Sequence, residues 1–263
     1  MAVDYLKFYK YQGTGNDFII INQLENQFEL TTKQIAFLCD RRMGIGADGL
    51  MLLRPAQDAD FHMIYYNSNG CESTMCGNGG RCISSLFFTL TGTNRTTFTA
   101  IDGYHDSHLQ KDGNIALLMS DVEEVNDYKG DYLINTGSPH YIKQIDNVDQ
   151  IDIERMGAEI RYSPPFEKDG INVNFLEIEN NRHISVRTYE RGVEGETLSC
   201  GTGVTACALA THIITKQRGS NNSILIKAVG GNLEVRFDVG DKGFSGIWLI
   251  GPAQLVYEGN ISI

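Results

Sequence analysis

The sequence predicts an α+β protein of two pseudo-symmetric domains, each a curved, barrel-like mixed β-sheet around a central α-helix. Three observations predict this fold. Strand-like segments recur along the chain, helix-like segments are few, and a cysteine–glycine motif occurs in each half directly ahead of an apolar helix. We expect the active site in the cleft between the two domains, with one motif contributed by each.

The predicted strands are short runs rich in β-branched and aromatic residues. In the first half they span residues 6–11, 17–21, 49–53, 61–66, 96–101 and 115–119. In the second half they span residues 132–135, 140–145, 173–178, 183–189, 224–228, 233–237 and 246–250. With this many strands, sheets must be the main structure of the protein.

Four helices are predicted between the strands. Residues 32–41 begin at a threonine cap, and residues 148–161 carry apolar side chains on a plausible face. After Cys76, apolar residues fall at the i, i+3, i+4, i+7 spacing of one helical face, namely Ile83, Leu86, Phe87 and Leu90. After Cys200, residues 204–210 are small and apolar all round, which is typical of a helix enclosed on every side.

The motif C-G-x-G occurs twice. MCGNGGRC covers residues 75–82 and SCGTGVTAC covers residues 199–207, and each follows a strand with a polar loop and precedes a helix. We infer two halves of similar plan that meet within the polar, acidic segment 121–129. The predicted domains are residues 1–122 and 123–263.

Composition and charge exclude several classes of function. The chain has 263 residues, 41% of them hydrophobic, and a formal net charge of −11. This charge opposes binding to nucleic acid or anionic membranes, because phosphate recognition needs clustered Lys and Arg. No apolar run reaches the ~18 residues of a membrane-spanning helix, and the first residues lack the apolar core of a secretion signal. We therefore expect a cytoplasmic protein with no nucleic-acid or membrane partner.

The six cysteines have different predicted roles. In a cytoplasmic protein they stay reduced, and their spacing lacks the C-x-x-C pairs and nearby histidines of a zinc site, so no metal is expected. Four are interpreted as small, buried hydrophobic residues: Cys39, Cys71, Cys82 and Cys207. Cys76 and Cys200 differ, because glycines and a helix follow each of them directly.

A cysteine at the start of a helix is suited to proton transfer. The unpaired N–H groups and the positive end of the helix dipole favour the thiolate there. The dipole contributes at most ~2 kcal/mol, about 1.5 pKa units, so other groups must contribute. The glycines let the backbone approach a ligand, so the same N–H groups could hold a carboxylate. One motif alone would more simply be a tight turn with an inert cysteine, but two predict thiols that face one carbon from opposite sides.

Six stretches of the sequence carry a resemblance to a known family. They are GTGNDFIIIN at 13–22, RRMGIGADGL at 41–50, YYNSNGCESTMCGNGGRC at 65–82, GSPHY at 137–141, INVNF at 171–175 and YERGVEGETLSCGTG at 189–203. In these stretches the chain resembles the diaminopimelate epimerase family along nearly its whole length. The resemblance implies an isomerase that interconverts LL- and meso-diaminopimelate in lysine and peptidoglycan-precursor synthesis. It also implies a two-base mechanism with no pyridoxal phosphate, metal or other cofactor.

The resemblance implies roles for individual residues. Cys76 and Cys200 correspond to the acid/base pair. The backbone N–H groups that would hold the substrate α-carboxylate are those of Gly77, Asn78, Gly201 and Thr202. The polar groups for the rest of the substrate are Asn16, Asn67, Asn172, Glu190 and Arg191. The residues that would tune the thiols are His140 and Glu190. A homodimer is implied too, with a last strand near residues 253–263 that returns to the first domain.

Some of these residues also have plainer interpretations. Asn16 and Asn67 could be turn residues, Glu190 and Arg191 could form a surface ion pair, and a lone His140 could be structural.

Two positions depart from the family pattern. Gly49 stands where many members have glutamine, and Ser138 stands where they have asparagine. The substrate contacts expected at Gly49 and Ser138 therefore lack an amide, and a shorter hydroxyl or a bridging water would have to substitute.

Two other functions remain compatible with the sequence. A proline- or hydroxyproline-type racemase of the same fold also uses paired cysteines, although histidine is typical two residues after the first of them, where this chain has Asn78. A non-catalytic amino-acid-binding module would use the two helix starts to hold the ligand's carboxylate but would transfer no proton. Exchange of the α-hydrogen of diaminopimelate with solvent distinguishes these functions, because a pure binder would show none.

Overall fold

The computed structural model describes residues 5–216 and 222–262. Within them the α-helices are α1 (Thr32–Cys39), α2 (Gly77–Thr91), α3 (Ile153–Arg161) and α4 (Gly201–Thr215). Strands β1 to β9 are Leu6–Gly13, Asn16–Asn22, Gly49–Arg54, Phe61–Asn67, Glu72–Ser73, Arg95–Ala100, Gly103–Leu109, Ile115–Leu118 and Val125–Tyr128. Strands β10 to β18 are Asp131–Asn135, Pro139–Gln144, Asn172–Asn180, His183–Glu190, Gly195–Thr197, Ser223–Ala228, Gly231–Gly240, Gly243–Gly251 and Gln254–Ile261.

One compact unit comprises Met1–Leu117 and Pro252–Ile263. Its sheet is mixed, since β2 pairs with β3 and β4 pairs with β6 in parallel, whereas β1 pairs antiparallel with both β2 and β18. Helix α2 packs against β1, β2, β3, β7 and β18. Helix α1 buries Ile35 and Leu38 in a separate apolar cluster with Leu6 and Phe8 of β1.

The second compact unit comprises Leu118–Gly251 and repeats this plan. Strands β11 and β12 are parallel, as are β13 and β15, whereas β12 and β13, β15 and β16, and β16 and β17 are antiparallel. Helix α4 packs against β10 to β13 and β15 to β17. Helix α3 contributes Ile153 to a separate cluster with Val173, Phe175 and Tyr189.

The two central helices match their predicted patterns closely. All seven residues of Val204–Ala210 are buried, because the small side chains of α4 let strands approach it from every side. On α2, the side chains of Ile83, Leu86 and Phe87 are buried as predicted, but Leu90 is 40% exposed. Leu90 lies in the last turn of α2, which ends at Thr91 and is followed by the capping residue Gly92 in a left-handed conformation.

The prediction of one helix over residues 148–161 is wrong. Residues 148–161 do not form one helix, because a 3₁₀ turn (Val148–Gln150) ends before Asp152, whose side chain accepts a hydrogen bond from Arg155 N at 3.1 Å and caps α3. Four strands have no counterpart among the predicted ones. Strand β7 is largely polar, β9 lies in the segment 121–129 where the two halves were expected to meet, and β5 and β14 span only 2 and 3 residues.

The predicted α+β class, with two units of similar plan and a mixed sheet around a helix in each, is confirmed. None of the helices in the described part of the chain has the length and apolar character needed to cross a membrane.

Candidate active site

Cys76 and Cys200 occupy equivalent positions in the two units. Each is the N-cap of its central helix, with extended backbone angles of φ −101°, ψ 129° for Cys76 and φ −109°, ψ 111° for Cys200. The first intrahelical bonds run from Gly80 N to Cys76 O at 2.7 Å and from Val204 N to Cys200 O at 2.9 Å. The preceding N–H groups of each helix have no carbonyl within the helix to bond. Both helix starts can therefore interact with a negative charge.

Asn16 lies beside Cys76 in the first unit. Its Oδ1 is 3.6 Å from Cys76 Sγ and accepts a hydrogen bond from Asn78 Nδ2 at 3.3 Å. Its Nδ2 donates to Asp48 Oδ2 at 2.7 Å. Because a carboxylate can only accept, Asp48 fixes which end of the Asn16 amide points to the sulfur. Sequence analysis did not predict this role for Asp48.

The buried Arg81 holds the side-chain amide of Asn78, which in turn donates to Asn16. Arg81 is completely buried and donates to Asn78 Oδ1 at 2.9 Å, to Thr14 Oγ1 at 3.3 Å and to Gly77 O at 3.3 Å. Burial lowers its pKa, and the nearby Cys82 and Cys76 oppose that change. Arg81 was also missed by sequence analysis, although its spacing of i+3 from Asn78 places both on one side of α2.

Asp48 is itself held by a charged cluster. Arg41 contacts it at 2.7 Å and also binds Asp17 through two hydrogen bonds of 2.9 and 2.7 Å. Lys10, which is buried, donates to Asp17 at 2.6 Å. Burial alone would raise the pKa of Asp17, but the hydrogen bonds from Arg41 and Lys10 outweigh it and hold that pKa well below its usual range. Asp17 therefore stays charged and holds Arg41, which also binds Asp48, the acceptor for the Asn16 amide.

His140 lies beside Cys200 in the second unit. It is completely buried, and its Nε2 is 2.9 Å from Thr202 Oγ1, which is 3.5 Å from Cys200 Sγ. Its Nδ1 is 3.0 Å from Nδ2 of Asn174, a residue that sequence analysis did not select. Burial and then the charge of Arg191 lower the pKa of His140 to about 3. The imidazole is therefore neutral at physiological pH.

The side-chain amide of Asn172 connects two segments of the second unit by hydrogen bonds. Its Nδ2 donates to Ser138 Oγ at 2.9 Å and to Pro139 O at 3.1 Å, so both of its amide hydrogens are used. Its Oδ1 accepts from the backbone N–H of Arg191 at 2.9 Å. Glu190 accepts from Thr197 Oγ1 at 2.9 Å. Asn172 thus holds the Ser138 and Arg191 segments together.

Gly49 and Asn67 are directly paired at the ends of β3 and β4. The side chain of Asn67 is exposed. A Cβ at Gly49 would lie 2.5 Å from the ring of Tyr65. The same Cβ would lie 2.7 Å from the backbone oxygen of Tyr66. The glutamine found here in many family members therefore has no room unless both the Tyr65 side chain and the backbone shift, and a ligand contact at this position would come from the backbone of Gly49.

The second glycine of each motif packs closely against side chains of its own unit, more tightly at Gly203 than at Gly79. A Cβ at Gly79 would lie 3.0 Å from Met51 Sδ, and one at Gly203 would lie 2.4 Å from Asn174 Oδ1. The sequence predicts that these glycines allow a ligand to approach closely. At these two positions the space is already filled by the unit's own side chains.

The remaining cysteines are not equivalent to one another. Cys82, Cys207 and Cys39 are buried as predicted, and burial raises their pKa values, to about 12 for Cys82 and about 11 for Cys39. The prediction for Cys71 is wrong, because this residue is exposed in the turn after β4, where its N–H donates to Asn69. Among the described residues, no group of three or more His, Cys, Asp and Glu side chains could hold a metal ion.

Comparison with known proteins identifies the family. The family model for diaminopimelate epimerase matches residues 8–125 and 132–256. The chain belongs to the diaminopimelate epimerase family. A diaminopimelate epimerase of Flavobacterium psychrophilum is 49% identical over 258 residues, which cover 97% of this chain and 100% of that protein. One of Chlorobaculum tepidum is 40% identical over 260 residues, 95% of this chain and 99% of that protein. The predicted resemblance is confirmed, and the protein is an isomerase.

Solved structures of lower identity share the fold of the diaminopimelate epimerase family. A phenazine biosynthesis protein of the PhzF family from Bacillus anthracis aligns with a TM-score of 0.78 at 16% identity, over 98% of this chain and 99% of that one. A hydroxyproline epimerase from Agrobacterium vitis aligns with a TM-score of 0.69 at 14% identity, over 98% and 91%. These likenesses concern the architecture alone.

Proposed function

We propose that this protein interconverts LL- and meso-diaminopimelate by a two-base mechanism in which Cys76 and Cys200 are the acid/base pair. One observation supports this proposal above all. Each cysteine is the N-cap of a largely buried helix, and the first N–H groups that follow it make no hydrogen bonds within the helix. The names of the relatives supply the substrate. We include in the proposal a role in lysine biosynthesis and assembly as a homodimer, which the mass of the protein in solution would test.

In the proposed reaction, one thiolate removes the α-proton and the other thiol delivers a proton to the opposite face of the same carbon. The electron pair of the broken C–H bond stays on the substrate, is shared with the carboxylate, and forms the new C–H bond. N–H groups at the starts of α2 and α4 would stabilise the negative charge on the carboxylate. The electron count of the substrate does not change, so the proposed reaction needs no oxidant or reductant.

The remaining polar residues divide into two kinds in this proposal. Asn67 and Arg191 have exposed side chains and are assigned to the distal end of the substrate. Asn16 is assigned to the α-carbon end, because its Oδ1 lies next to Cys76 Sγ. Asn172 is assigned a supporting role, since its amide hydrogens are taken by Ser138 and Pro139.

The experiment is a comparison of single cysteine variants with pure LL-diaminopimelate as substrate. General acid–base groups contribute roughly 10²- to 10⁴-fold to rate, so Cys76→Ala and Cys200→Ala should each lose at least about 10²-fold in kcat. Cys71→Ala is the matched control, because Cys71 is exposed in a turn. It should retain wild-type activity.

Three outcomes would contradict the proposed function. Near-normal turnover by either Cys76→Ala or Cys200→Ala would contradict the two-thiol mechanism. Racemisation of proline or hydroxyproline in preference to diaminopimelate, or diaminopimelate binding without α-hydrogen exchange, would replace it by one of the two alternative functions. Circular dichroism and melting of each variant establish that a lost activity is not a lost fold.

A further inference from the structure

The side-chain amide of Asn174 has only one orientation that satisfies its neighbours. One of its two terminal atoms lies 3.2 Å from the backbone carbonyl oxygen of Tyr141, and the other lies 2.9 Å from Thr188 Oγ1. A carbonyl oxygen can only accept a hydrogen bond, so the atom facing Tyr141 is the NH₂ group. Asn174 is completely buried, which makes an unsatisfied alternative costly.

This orientation sets the tautomer of His140. The NH₂ group of Asn174 is 3.0 Å from His140 Nδ1, and because that group donates, Nδ1 must accept and carries no hydrogen. A neutral imidazole has one N–H group, which is therefore at Nε2. His140 is completely buried among these partners.

The tautomer in turn sets the direction of the next two hydrogen bonds. The Nε2–H group of His140 donates to Thr202 Oγ1 at 2.9 Å. The Thr202 hydroxyl accepts there and has its own hydrogen left to donate, and Cys200 Sγ lies 3.5 Å away. A donor aimed at a sulfur stabilises its thiolate form, because hydrogen bonds to a charged group favour the charged state.

We propose that Asn174 is a positioning residue that holds His140 in its Nε2–H tautomer, so that the Thr202 hydroxyl donates to Cys200 and favours its thiolate. The proposal rests on the proposed role of Cys200 as an acid/base group. Gly203 belongs to the same arrangement, because a Cβ there would meet Asn174 Oδ1 at 2.4 Å and Cys200 Sγ at 3.4 Å. The glycine thereby lets the strand that carries Asn174 approach the start of α4.

The first test is a direct determination of the tautomer. In ¹⁵N-histidine-labelled wild-type protein, the ring signals of His140 are assigned by their loss in His140→Gln. We expect an unprotonated Nδ1 and a protonated Nε2. A protonated Nδ1 would overturn the proposal. In Asn174→Leu, which removes the donor at similar volume, the single tautomer should give way to a mixture.

The second test is the rate at which iodoacetamide alkylates Cys200, followed by peptide mass spectrometry from pH 6 to pH 10. Thr202→Val removes the hydroxyl at nearly constant shape, and Thr202→Ser restores it. We expect Thr202→Val and Asn174→Leu to raise the apparent pKa of the Cys200 thiol, so that thiolate at a fixed low pH falls about tenfold, the equivalent of one pKa unit. Thr202→Ser should return the profile to that of the wild type.

Alkylation of Cys76 in the same samples is the internal reference and should not change. A Cys200 profile that is unchanged in Thr202→Val would overturn the proposal even if Asn174→Leu fails to fold. Both tests are done without substrate. They can therefore succeed although the protein does not turn over diaminopimelate, and turnover can be normal although they fail.

Discussion

Asp17 is the carboxylate on which the charged cluster of the first unit depends. It is hydrogen-bonded by the buried Lys10 and by Arg41, and its side chain is 17% exposed. Asp17→Asn leaves Lys10 without its counter-charge, so we expect a loss of about 3 kcal/mol at pH 7, the low end for breaking a buried pair. Urea unfolding measures this loss. The control Asp58→Asn changes an exposed carboxylate and should lie within about 0.5 kcal/mol of the wild type.

The loss of stability caused by Asp17→Asn should become smaller as the pH is lowered. The pKa of Asp17 is lowered in the folded protein, so the unfolded chain binds more protons between the folded and unfolded values. The stabilisation is complete above the unfolded pKa of ~3.9 and is lost as pH falls below it. The difference between wild type and Asp17→Asn should therefore shrink below that pH. A difference that stays constant down to pH 3 would contradict this explanation.

Among single residues, the two cysteines can be identified from the sequence more readily than their neighbours. Cys76 and Cys200 stand out because their motif is local and occurs twice. Asn174 and Arg81 do not stand out, because their roles come from pairings of distant segments, such as Asn174 with Tyr141 O and Arg81 with Thr14. Their side chains could be assigned only after the strands and helices were brought together.

Helix α3 depends on close packing at a single glycine. A Cβ at Gly157 would lie 2.5 Å from Cβ and Cγ of Tyr189, atoms too near the backbone to swing away. We expect Gly157→Ala to destabilise the protein by about 1–3 kcal/mol through overpacking, although alanine gains up to ~1 kcal/mol of helix propensity over glycine. Urea unfolding measures the balance.

Gly240 is the matched control for this substitution. A Cβ there meets no atom within 4 Å and the backbone is not in a left-handed conformation, so Gly240→Ala should be nearly neutral. Equal losses in both variants would show that packing against Tyr189 is not the cause.

Among the helices and strands, hydrophobic periodicity predicts those with a long apolar pattern and misses those that form only through pairing with other segments. The helices after Cys76 and Cys200 were found because their apolar patterns extend over several turns. Strand β7 was missed because a half-exposed strand with polar residues on both faces has no clear alternation, and it exists through pairing with β6 and β8. The break before α3 arises because Asp152 caps the helix, and capping competes with helix continuation.

The C-terminal strand completes the first unit. Strand β18 pairs antiparallel with β1 from Leu6↔Ile261 to Gln12↔Gln254, and Tyr257 packs edge-on against Phe8 at 5.8 Å between ring centroids. A chain that ends at Gly251 would leave one edge of β1 unpaired and uncover buried Leu6 and Phe8. We expect that chain to lose cooperative unfolding of the first unit and to aggregate.

The control for this truncation is a chain that ends at Ile261, which keeps every pair of β18. It should unfold like the wild type in urea and remain monodisperse. A chain ending at Gly251 with unchanged unfolding would show that β18 contributes little to the first unit.

At the scale of the whole molecule, the repeated motif was sufficient to predict two units of one plan, because each copy implies the same strand, turn and buried helix. The strand order could not be predicted from the sequence, because parallel pairs such as β4 with β6 or β13 with β15 join segments that a whole helix separates along the chain. The return of β18 to β1 was implied by family resemblance alone.

In the proposed reaction two bases act on one carbon, and the position of deuterium after the first turnovers distinguishes this mechanism from one with a single base. Wild-type protein converts pure LL-diaminopimelate in D₂O to low conversion, and both isomers are analysed by mass spectrometry. We expect deuterium at the inverted α-carbon of nearly every product molecule and none in the recovered substrate, because the second thiol delivers a solvent-derived hydrogen. Product that retains the substrate's own hydrogen would contradict the two-base account.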